Sequence, residues 1–406
     1  MKKRIALFAL CALVLSGCGG NRMAETAAPT EESASAVEPL TETEAPRQET
    51  NKTGAVAVRS DREVLTGFEG DFQLITFEHD VTTVQILGNE AAAQRINDFL
   101  ALQDRLYVEG DPDREDPELP QGYQEYLEAA RQAYLEQPEF MNPYFFSRKV
   151  EAVSANDYYV SILVSTSDFT GGAHGNNLYE TYVFSTKTGD LLHLEDLTND
   201  NAAMSRALLD FMVESARKQP DIQNRIAWFG PEEYEENFRK LLRDGSWCLA
   251  GSELCLFSDP YEFGPYAAGV VDFRMPLELL KPFLKEEFFP AARRENGAMI
   301  LREPVKEDIL DTVTLDPEAP ALALRAEGTV YNVFLHQVSL GENQVYKLNT
   351  LWFCSRMTEQ TLEIRTWIPD AAPNLMVIYE DQSGQVYRAL LTQSGKDGSY
   401  ILQEDF

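Results

Sequence analysis

The amino-acid sequence predicts an α+β fold, with antiparallel sheets, helices packed on one side of them, and a C-terminal domain built only of strands. Before about residue 300, short alternating apolar segments are mixed with segments whose apolar residues recur at helical spacing. From about residue 305, strand patterns become nearly continuous and are separated by Gly-Glu-Asn, Gln-Ser-Gly and Lys-Asp-Gly turns. With 406 residues, 44% of them hydrophobic, the chain is long and apolar enough for two or three cored domains.

The first residues have the pattern of a secretory signal peptide. Basic residues at positions 2–4 precede an apolar run over residues 5–15, which is too short to span a bilayer as a mature helix. Cys18 follows Leu-Ser-Gly, and this string resembles the lipobox of bacterial lipoproteins. The resemblance implies that residues 1–17 are removed and that the thiol of Cys18 carries a diacylglycerol. The protein would then work at the extracytoplasmic face of the cell membrane, anchored by lipid.

Composition and pattern divide the rest of the chain into a tether and three folded regions. The segment after Cys18 is rich in Ala, Glu, Thr, Ser and Pro and has no aromatic residue up to about residue 60, so it buries too little apolar surface to fold. The predicted regions are a lipidated Cys and disordered acidic tether over 18–60, an N-terminal α+β domain over 61–170, a second α+β domain over 171–300 and a small all-β domain over 301–406.

Individual elements follow from apolar spacing. In the first α+β domain, Asn89 and Glu90 open a helix whose apolar side includes Ala91, Ile96 and Leu100. The predicted strands of this domain cover 72–78, 83–87, 148–153 and 157–165, and its helices cover 89–100 and 122–136. The second domain is predicted to contain a strand over 178–185, helices over 200–218 and 231–243, and a last helix from Pro276. The C-terminal strands are predicted over 321–325, 329–339, 344–354, 361–367, 375–380, 386–393 and 399–403.

Two cysteines lie in a predicted hairpin. If Gly251 and Ser252 are the central residues of its turn, Cys248 stands directly opposite Cys255. A disulfide between them is geometrically feasible in an oxidising compartment, and two small core residues are the alternative. Cys354 follows Leu-Trp-Phe and is expected to be buried without a disulfide partner.

Four strings in the two α+β domains are informative together. They are Asn-Glu leading to Ile-Asn over 89–97, Thr-Gly-Gly-Ala-His-Gly over 170–175, Thr-Gly-Asp and Leu-Glu-Asp-Leu within 188–197, and Pro-Tyr-Glu and Gly-Pro-Tyr-Ala-Ala-Gly within 260–269. Residues 65–285 thereby resemble a pair of extracytoplasmic domains of unknown function. That pair occurs in the outer part of the sigma-V anti-sigma factor, the lysozyme receptor of Gram-positive bacteria, and ahead of a peptidoglycan deacetylase. The resemblance implies an α+β envelope domain that binds something at the cell wall. This chain departs from those proteins in two features, the lipobox and the β-rich tail.

Among the four histidines, His174 is the strongest candidate for a functional role. It lies in a Gly-rich turn, where an imidazole acts either as a general base or ligand contact, or as a turn residue that bonds the backbone. No nucleophile at a meaningful spacing accompanies it. His79, His193 and His336 form no His-Glu-x-x-His pattern, so the sequence predicts no catalytic residue, no metal site and no cofactor.

An aromatic string near the end of the second domain has two interpretations. Tyr rings stack on sugars or anchor a protein partner, whereas alternating aromatic residues also pack strands on helices. Phe263 and Phe273 fit a core role. Tyr261 and Tyr266 follow Pro260 and Pro265 at chain bends, and with His174 they are the candidate ligand-binding residues.

The charge of the chain limits its partners. A formal net charge of −31 repels nucleic acid and anionic lipid headgroups and attracts cationic proteins. We therefore expect membrane contact only through the lipid on Cys18. The predicted function is a non-catalytic binding or sensing module for a cell-wall glycan, namely peptidoglycan, or for a cationic wall-active protein of the lysozyme type. Two alternatives stay open: a cell-wall-modifying hydrolase centred on His174, and a structural subunit of an envelope complex that docks through residues 305–406.

Overall fold

The computed structural model describes the chain from residue 54 onward, with several gaps. The described ranges are 54–114, 119–139, 141–226, 231–290, 293, 295–303, 308–340, 346–368, 374–394, 396 and 399–404. The predicted signal peptide, Cys18 and most of the predicted tether over 18–60 lie outside these residues, as do residues 115–118. The described residues within 50–111 and 120–406 form one compact unit.

A long hairpin and two helices begin this unit. The polar residues His79 and Asp80, which interrupt the two predicted strands, lie inside one continuous strand because the carboxylate of Asp80 accepts hydrogen bonds from Arg62 Nε and Val150 N, each at 3.0 Å. The helix predicted from residue 89 is capped by Asn89, whose side chain accepts from the Ala92 amide, and it continues well beyond the predicted end. The elements are β1 (Val56–Glu69), β2 (Phe72–Ile86), α1 (Glu90–Glu109), α2 (Gly122–Glu136), β3 (Tyr144–Ala155), β4 (Tyr159–Phe169) and β5 (Asn176–Ser185).

The first strand corrects the predicted end of the tether. β1 starts at Val56, so the last five residues of the segment predicted to be disordered, 56–60, belong to a strand. Val56 and Val58 pack toward the core that contains α1, while Ala57 packs into the C-terminal core, so all three are buried. This strand is hard to recognise in the sequence for two reasons. Polar residues follow these three positions, and a strand with a core on both sides lacks simple alternation.

A second layer of helices and strands covers the face of β4 and β5 opposite to the one that packs on α1. Leu249 N donates to Ser161 Oγ, and Ser246 Oγ donates to the Tyr179 carbonyl. A three-stranded sheet in this layer packs on its helices through Met204, Leu208, Phe238, Leu254 and Phe273, all fully buried. Its elements are α3 (Asn201–Lys218), α4 (Pro220–Arg225), α5 (Pro231–Asp244), β6 (Ser246–Ala250), β7 (Glu253–Phe257), β8 (Asp272–Pro276) and the short α6 (Leu277–Leu280).

Beyond Arg293, the described residues form a region built of strands, which confirms the predicted all-β C-terminal part. Trp352 is fully buried there and its Nε1 donates to Asp311 Oδ2 at 3.0 Å. Cys354 is buried, as expected. The strands are β9 (Gly297–Arg302), β10 (Ile309–Thr314), β11 (Ala321–Leu340), β12 (Tyr346–Thr358), β13 (Thr361–Arg365), β14 (Leu375–Glu380), β15 (Val386–Gln393) and β16 (Tyr400–Glu404).

One sheet joins the first and last regions of the chain. Its order is β16-β15-β14-β11-β12-β1-β2-β3-β4-β5, with β9, β10 and β13 attached through β11. β12 pairs antiparallel with β1, placing Ala57 opposite Cys354. Most pairs are antiparallel, as predicted; β2 and β3 are parallel because α1 and α2 connect them as a crossover. The fold is therefore α+β, as the sequence predicts, while the boundaries at 170 and 300 remain predictions of domain organisation.

Within the described ranges, no helix is both long enough and apolar enough to cross a membrane.

Candidate functional site: an aromatic cluster on two loops

Two loops that are far apart in sequence meet at one end of the sheet. The first connects β4 to β5 and carries His174; the second precedes β8 and carries Tyr261 and Tyr266. Gly175 is needed where the first loop enters β5, because a Cβ there would clash with the Asp168 carbonyl oxygen. The Gly-rich string noticed in the sequence therefore permits a tight return of the chain.

The three candidate ligand-binding residues lie together in this structure. The imidazole of His174 stacks on the Tyr266 ring with 3.7 Å between centroids and 14° between planes. Tyr261 and Tyr266 have centroids 5.6 Å apart. Tyr266 Oη donates to the Gly175 carbonyl oxygen, which ties the second loop to the first. We call His174, Tyr261 and Tyr266 the aromatic cluster.

The tautomer of His174 follows from its hydrogen bond. Nδ1 lies 3.0 Å from the Gly175 carbonyl oxygen, which only accepts, so Nδ1 carries the proton. In the neutral ring Nε2 is then an acceptor. His174 is exposed, so it combines the turn role considered from the sequence with a surface available to a ligand.

Tyr261 has a strained backbone and an exposed ring. Its φ is +67°, in the left-handed region that non-glycine residues rarely adopt, and its side chain is 59% exposed. Such a conformation costs about 1–3 kcal/mol and persists where surrounding structure enforces it, commonly at ligand sites. Because the Tyr261 ring is exposed, it contributes little to a core, and core packing does not explain the strained backbone.

Glu262 holds the turn that contains Tyr261. Its carboxylate accepts from the Asp259 amide at 3.1 Å and from Lys240 Nζ at 2.7 Å, and its carbonyl accepts from Asn237 Nδ2 at 3.2 Å. Lys240 and Asn237 belong to α5, so the helix fixes the loop. Sequence reasoning missed Glu262; its place between Tyr261 and a buried phenylalanine was the available signal.

Phe263 and Phe273 belong to the core, as predicted. Both are buried, and both rings contact Phe238 of α5, at centroid separations of 5.2 and 5.3 Å. The aromatic string therefore divides into two inward rings that fix the loop and two tyrosines that belong to the aromatic cluster.

Cys248 and Cys255 stand directly opposite each other in the β6–β7 hairpin, in the predicted register. Both are buried and carry free thiols in this structure. A hydrogen bond to Cys255 and burial raise the pKa of the Cys248 thiol far above its usual range. The disulfide between them stays a prediction.

The environments of the other three histidines, His79, His193 and His336, indicate structural roles. The His193 amide donates to the Asp196 carboxylate at the start of a 3₁₀ turn. His79 is buried, and its hydrogen bond to Asp104 raises its pKa, whereas burial lowers the pKa of His336 to about 4. Among the described residues, no three His, Cys, Asp or Glu side chains gather as metal ligands would.

Comparisons with known proteins divide the chain into two matched segments. A family model described as Deacetylase PdaC matches residues 74–177, and one described as Protein of unknown function (DUF3298) matches residues 195–278. The peptidoglycan-N-acetylmuramic acid deacetylase PdaC of Bacillus subtilis is 22% identical over 170 residues. That match covers 41% of this chain and 35% of the relative, so the chain spans about a third of the length of this curated protein.

Two solved structures of the DUF3298 family are also similar. The protein from Bacteroides fragilis is 13% identical, with a TM-score of 0.39, covering 58% of this chain and 95% of its own. The protein from Pseudomonas aeruginosa is 16% identical, with a TM-score of 0.36, covering 58% and 96%. The segment that matches the PdaC model contains His174, and the segment that matches the DUF3298 model contains Tyr261 and Tyr266. The two matches confirm the pair of domains indicated by the sequence resemblance.

Proposed function

We propose that this protein is a non-catalytic binding module of the cell envelope that recognises a cell-wall glycan through the aromatic cluster. One observation carries the proposal. Two loops, one from each matched segment, bring His174, Tyr261 and Tyr266 together at the surface, and the exposed Tyr261 is held in a strained conformation.

The chemistry of the cluster suits a sugar. A pyranose ring presents apolar C–H faces bordered by hydroxyls, so an aromatic ring covers the face while a polar tip meets the edge. The exposed Tyr261 ring supplies the face. Its hydroxyl and the Nε2 acceptor of His174 supply polar contacts, and no general acid or base chemistry is required of either.

The cellular setting is part of the proposal. The name of the Bacillus subtilis relative places that enzyme on peptidoglycan, and the PdaC match supports a wall-associated role here. A lipid on Cys18 would anchor the protein at the extracytoplasmic face. The predicted tether of about 40 residues would have a root-mean-square reach of roughly 35 Å, bringing the aromatic cluster to the wall.

Net charge favours a second candidate ligand. A chain with net charge −31 attracts cationic proteins such as those of the lysozyme type, and such encounters weaken steeply with salt. Stacking on a glycan depends much less on ionic strength. Salt therefore separates the two candidates.

The test is co-sedimentation of the full chain, with Cys18→Ser to prevent lipidation, with purified insoluble peptidoglycan. We expect retention that persists from about 0.1 to 0.5 M NaCl, where exposed charge interactions are largely screened. Tyr261→Gly should lower retention by about tenfold, because it removes the exposed ring without straining the backbone. Phe68→Ser removes a ring of similar exposure, 52%, from β1 and should leave retention unchanged.

Two outcomes would reject the glycan as ligand. One is the absence of sedimentation by the wild-type chain. The other is equal retention of the wild type and Tyr261→Gly. Salt-sensitive capture of lysozyme without retention on peptidoglycan would instead support the cationic protein.

A further inference from the structure

A cavity of about 280 Å³ lies where four parts of the chain meet. These parts are the β3–β4 turn, the β6–β7 turn, residues 290 and 293, and the strands β11, β12 and β14. We call it the polar cavity after the charged and amide side chains in its wall. Such junctions are preferred places for ligand pockets. The cavity shares no residue with the aromatic cluster, and its polar walls include Asp157, Ser252, Arg293, Asn332, Arg356 and Glu380.

Asn332 is strained at the wall of this cavity. Its φ is +46°, and the register between β11 and β14 shifts between Tyr331 and Phe334, so Asn332 lies in a bulge. Its amide donates to Glu380 Oε1 at 3.2 Å. Bulges redirect side chains next to binding sites, and left-handed backbone at a non-glycine residue concentrates at such sites.

Arg293 and Glu380 form one rigid side of the cavity. The guanidinium donates to the Glu380 carboxylate and, through Nη1, to the Asp381 carbonyl at 3.0 Å. It also lies over the Tyr331 ring, 5.0 Å from the centroid. Three restraints on one guanidinium fix the direction of its planar donors.

Arg356 and Asp157 form a second charged pair. Arg356 Nη2 lies 3.8 Å from Asp157 Oδ1. Gly54, with φ +88°, passes so close to Asp157 that a Cβ would lie 2.8 Å from Oδ1, so the backbone limits where this carboxylate can go. Two guanidiniums thus face two carboxylates, and the formal charges of these four side chains cancel.

We infer that this cavity binds one or two rings of an uncharged saccharide. An ionic ligand would have to displace an existing ion pair, because each charged side chain among the described residues that line the cavity has an oppositely charged partner. Fixed planar guanidinium, carboxylate and amide groups instead provide adjacent donors and acceptors at set directions, which match neighbouring sugar hydroxyls. The volume lies near the lower limit for ligand pockets, about 300 Å³, which suits a saccharide end rather than a long polymer.

The test is calorimetric titration of the full chain bearing Cys18→Ser with N-acetylglucosamine and its β-1,4-linked disaccharide. Glucosamine and N-acetylneuraminic acid are the charged comparisons. We expect binding of the neutral sugars and weaker binding of both charged ones.

Two matched glycine substitutions locate the binding. Asn332→Gly keeps the left-handed backbone and removes the amide, so it should weaken neutral-sugar binding by about tenfold without lowering the thermal midpoint. Tyr261→Gly makes the same backbone change in the aromatic cluster and should leave this binding unchanged. Asn332→Gly should also leave sedimentation with peptidoglycan intact, so the two proposals fail separately.

The inference is overturned if none of the sugars binds or if Asn332→Gly binds as tightly as wild type. It is equally overturned if glucosamine or N-acetylneuraminic acid binds more tightly than N-acetylglucosamine. Loss of binding with Tyr261→Gly alone would assign the sugar to the aromatic cluster.

Discussion

The aromatic cluster and the polar cavity each contain a residue in the left-handed region, but different parts of the molecule hold it there. Tyr261 lies on a loop that Glu262 ties to α5. Asn332 lies in a bulge inside a central strand of the long sheet. The first residue is restrained by a few polar contacts, and the second by the pairing of its neighbours in β11 with β12 and β14.

This difference predicts how each region responds to damage. Changes at the aromatic cluster should alter binding with little effect on unfolding, because the rings are exposed and the loops are outside the sheet. Loss of a charged group in the wall of the polar cavity should alter stability as well, because these groups are partly buried and mutually paired.

Acid should have the largest effect on stability, and it acts on the strand that carries Asn332. His336 lies on β11, four residues after Asn332, and burial lowers its pKa to about 4. The unfolded chain then binds more protons between pH 6.5 and 4, so stability falls as pH drops through this window. At pH 5 the loss is about 2 kcal/mol relative to pH 8. Denaturant unfolding at both values measures it, with His336→Gln expected to flatten the slope.

His79, on β2, acts with the opposite sign and serves as an internal control. A hydrogen bond to Asp104 raises its pKa, so its contribution to stability is complete below pH 6.5 and is lost as pH rises through the folded-state pKa. His79→Gln should therefore reduce the fall in stability on the alkaline side and leave the acid side of the stability profile unchanged. An unaltered acid slope in His336→Gln would contradict the assignment of acid sensitivity to β11.

Loss of Glu380 should have the next largest effect. Glu380→Ala leaves the Arg293 guanidinium without its carboxylate and removes the acceptor of Asn332. We expect a loss of about 1.5 kcal/mol in the free energy of unfolding, since hydrogen bonds to charged groups are worth about that much. Glu235→Ala, which breaks the exposed pair with Arg239, should cost under about 0.5 kcal/mol. Equal costs in urea titrations would show that the polar cavity is no more rigid than the surface.

The aromatic cluster was accessible from sequence because each loop has a local signature. Gly171 and Gly172 mark one turn, and Pro260 and Pro265 mark the other. The Gly-Ser turn of the cysteine hairpin likewise predicted its register. What no local pattern indicated is that the loops meet, which depends on packing of the second layer on β4 and β5.

The polar cavity lacked any such signature. Asp157, Asn332 and Glu380 come from segments far apart in sequence. Asn332 and Glu380 meet through the pairing of β11 with β14, and the pairing of β12 with β1 joins these strands to the first part of the chain. That pairing joins residues about three hundred positions apart, and strand pairing over such a distance leaves no periodic signal. Even Asn332, the left-handed residue at the bulge, has the sequence pattern of an ordinary strand position.

Glu262 tests whether the aromatic cluster depends on its support. Glu262→Ala removes acceptors for Lys240 and for the Asp259 amide, so the loop should lose its fixed position. We expect about 1 kcal/mol of destabilisation, together with peptidoglycan retention as low as that of Tyr261→Gly. Glu253→Ala, which breaks a more exposed contact with Arg274, is the control. Full retention in Glu262→Ala would mean that the rings bind without a fixed loop.

The smallest effects should come from removing strain in the two regions. Tyr261→Gly and Asn332→Gly each relieve a left-handed backbone, offset in part by the greater freedom of glycine in the unfolded chain. Asn tolerates this conformation better than a bulky aromatic residue, so the gain should be about 0.5 kcal/mol at Tyr261 and about zero at Asn332. Thermal unfolding of both variants at pH 7 measures the difference. A larger gain at Asn332 would place the greater strain in the sheet, and the bulge rather than the loop would then be the more constrained of the two regions.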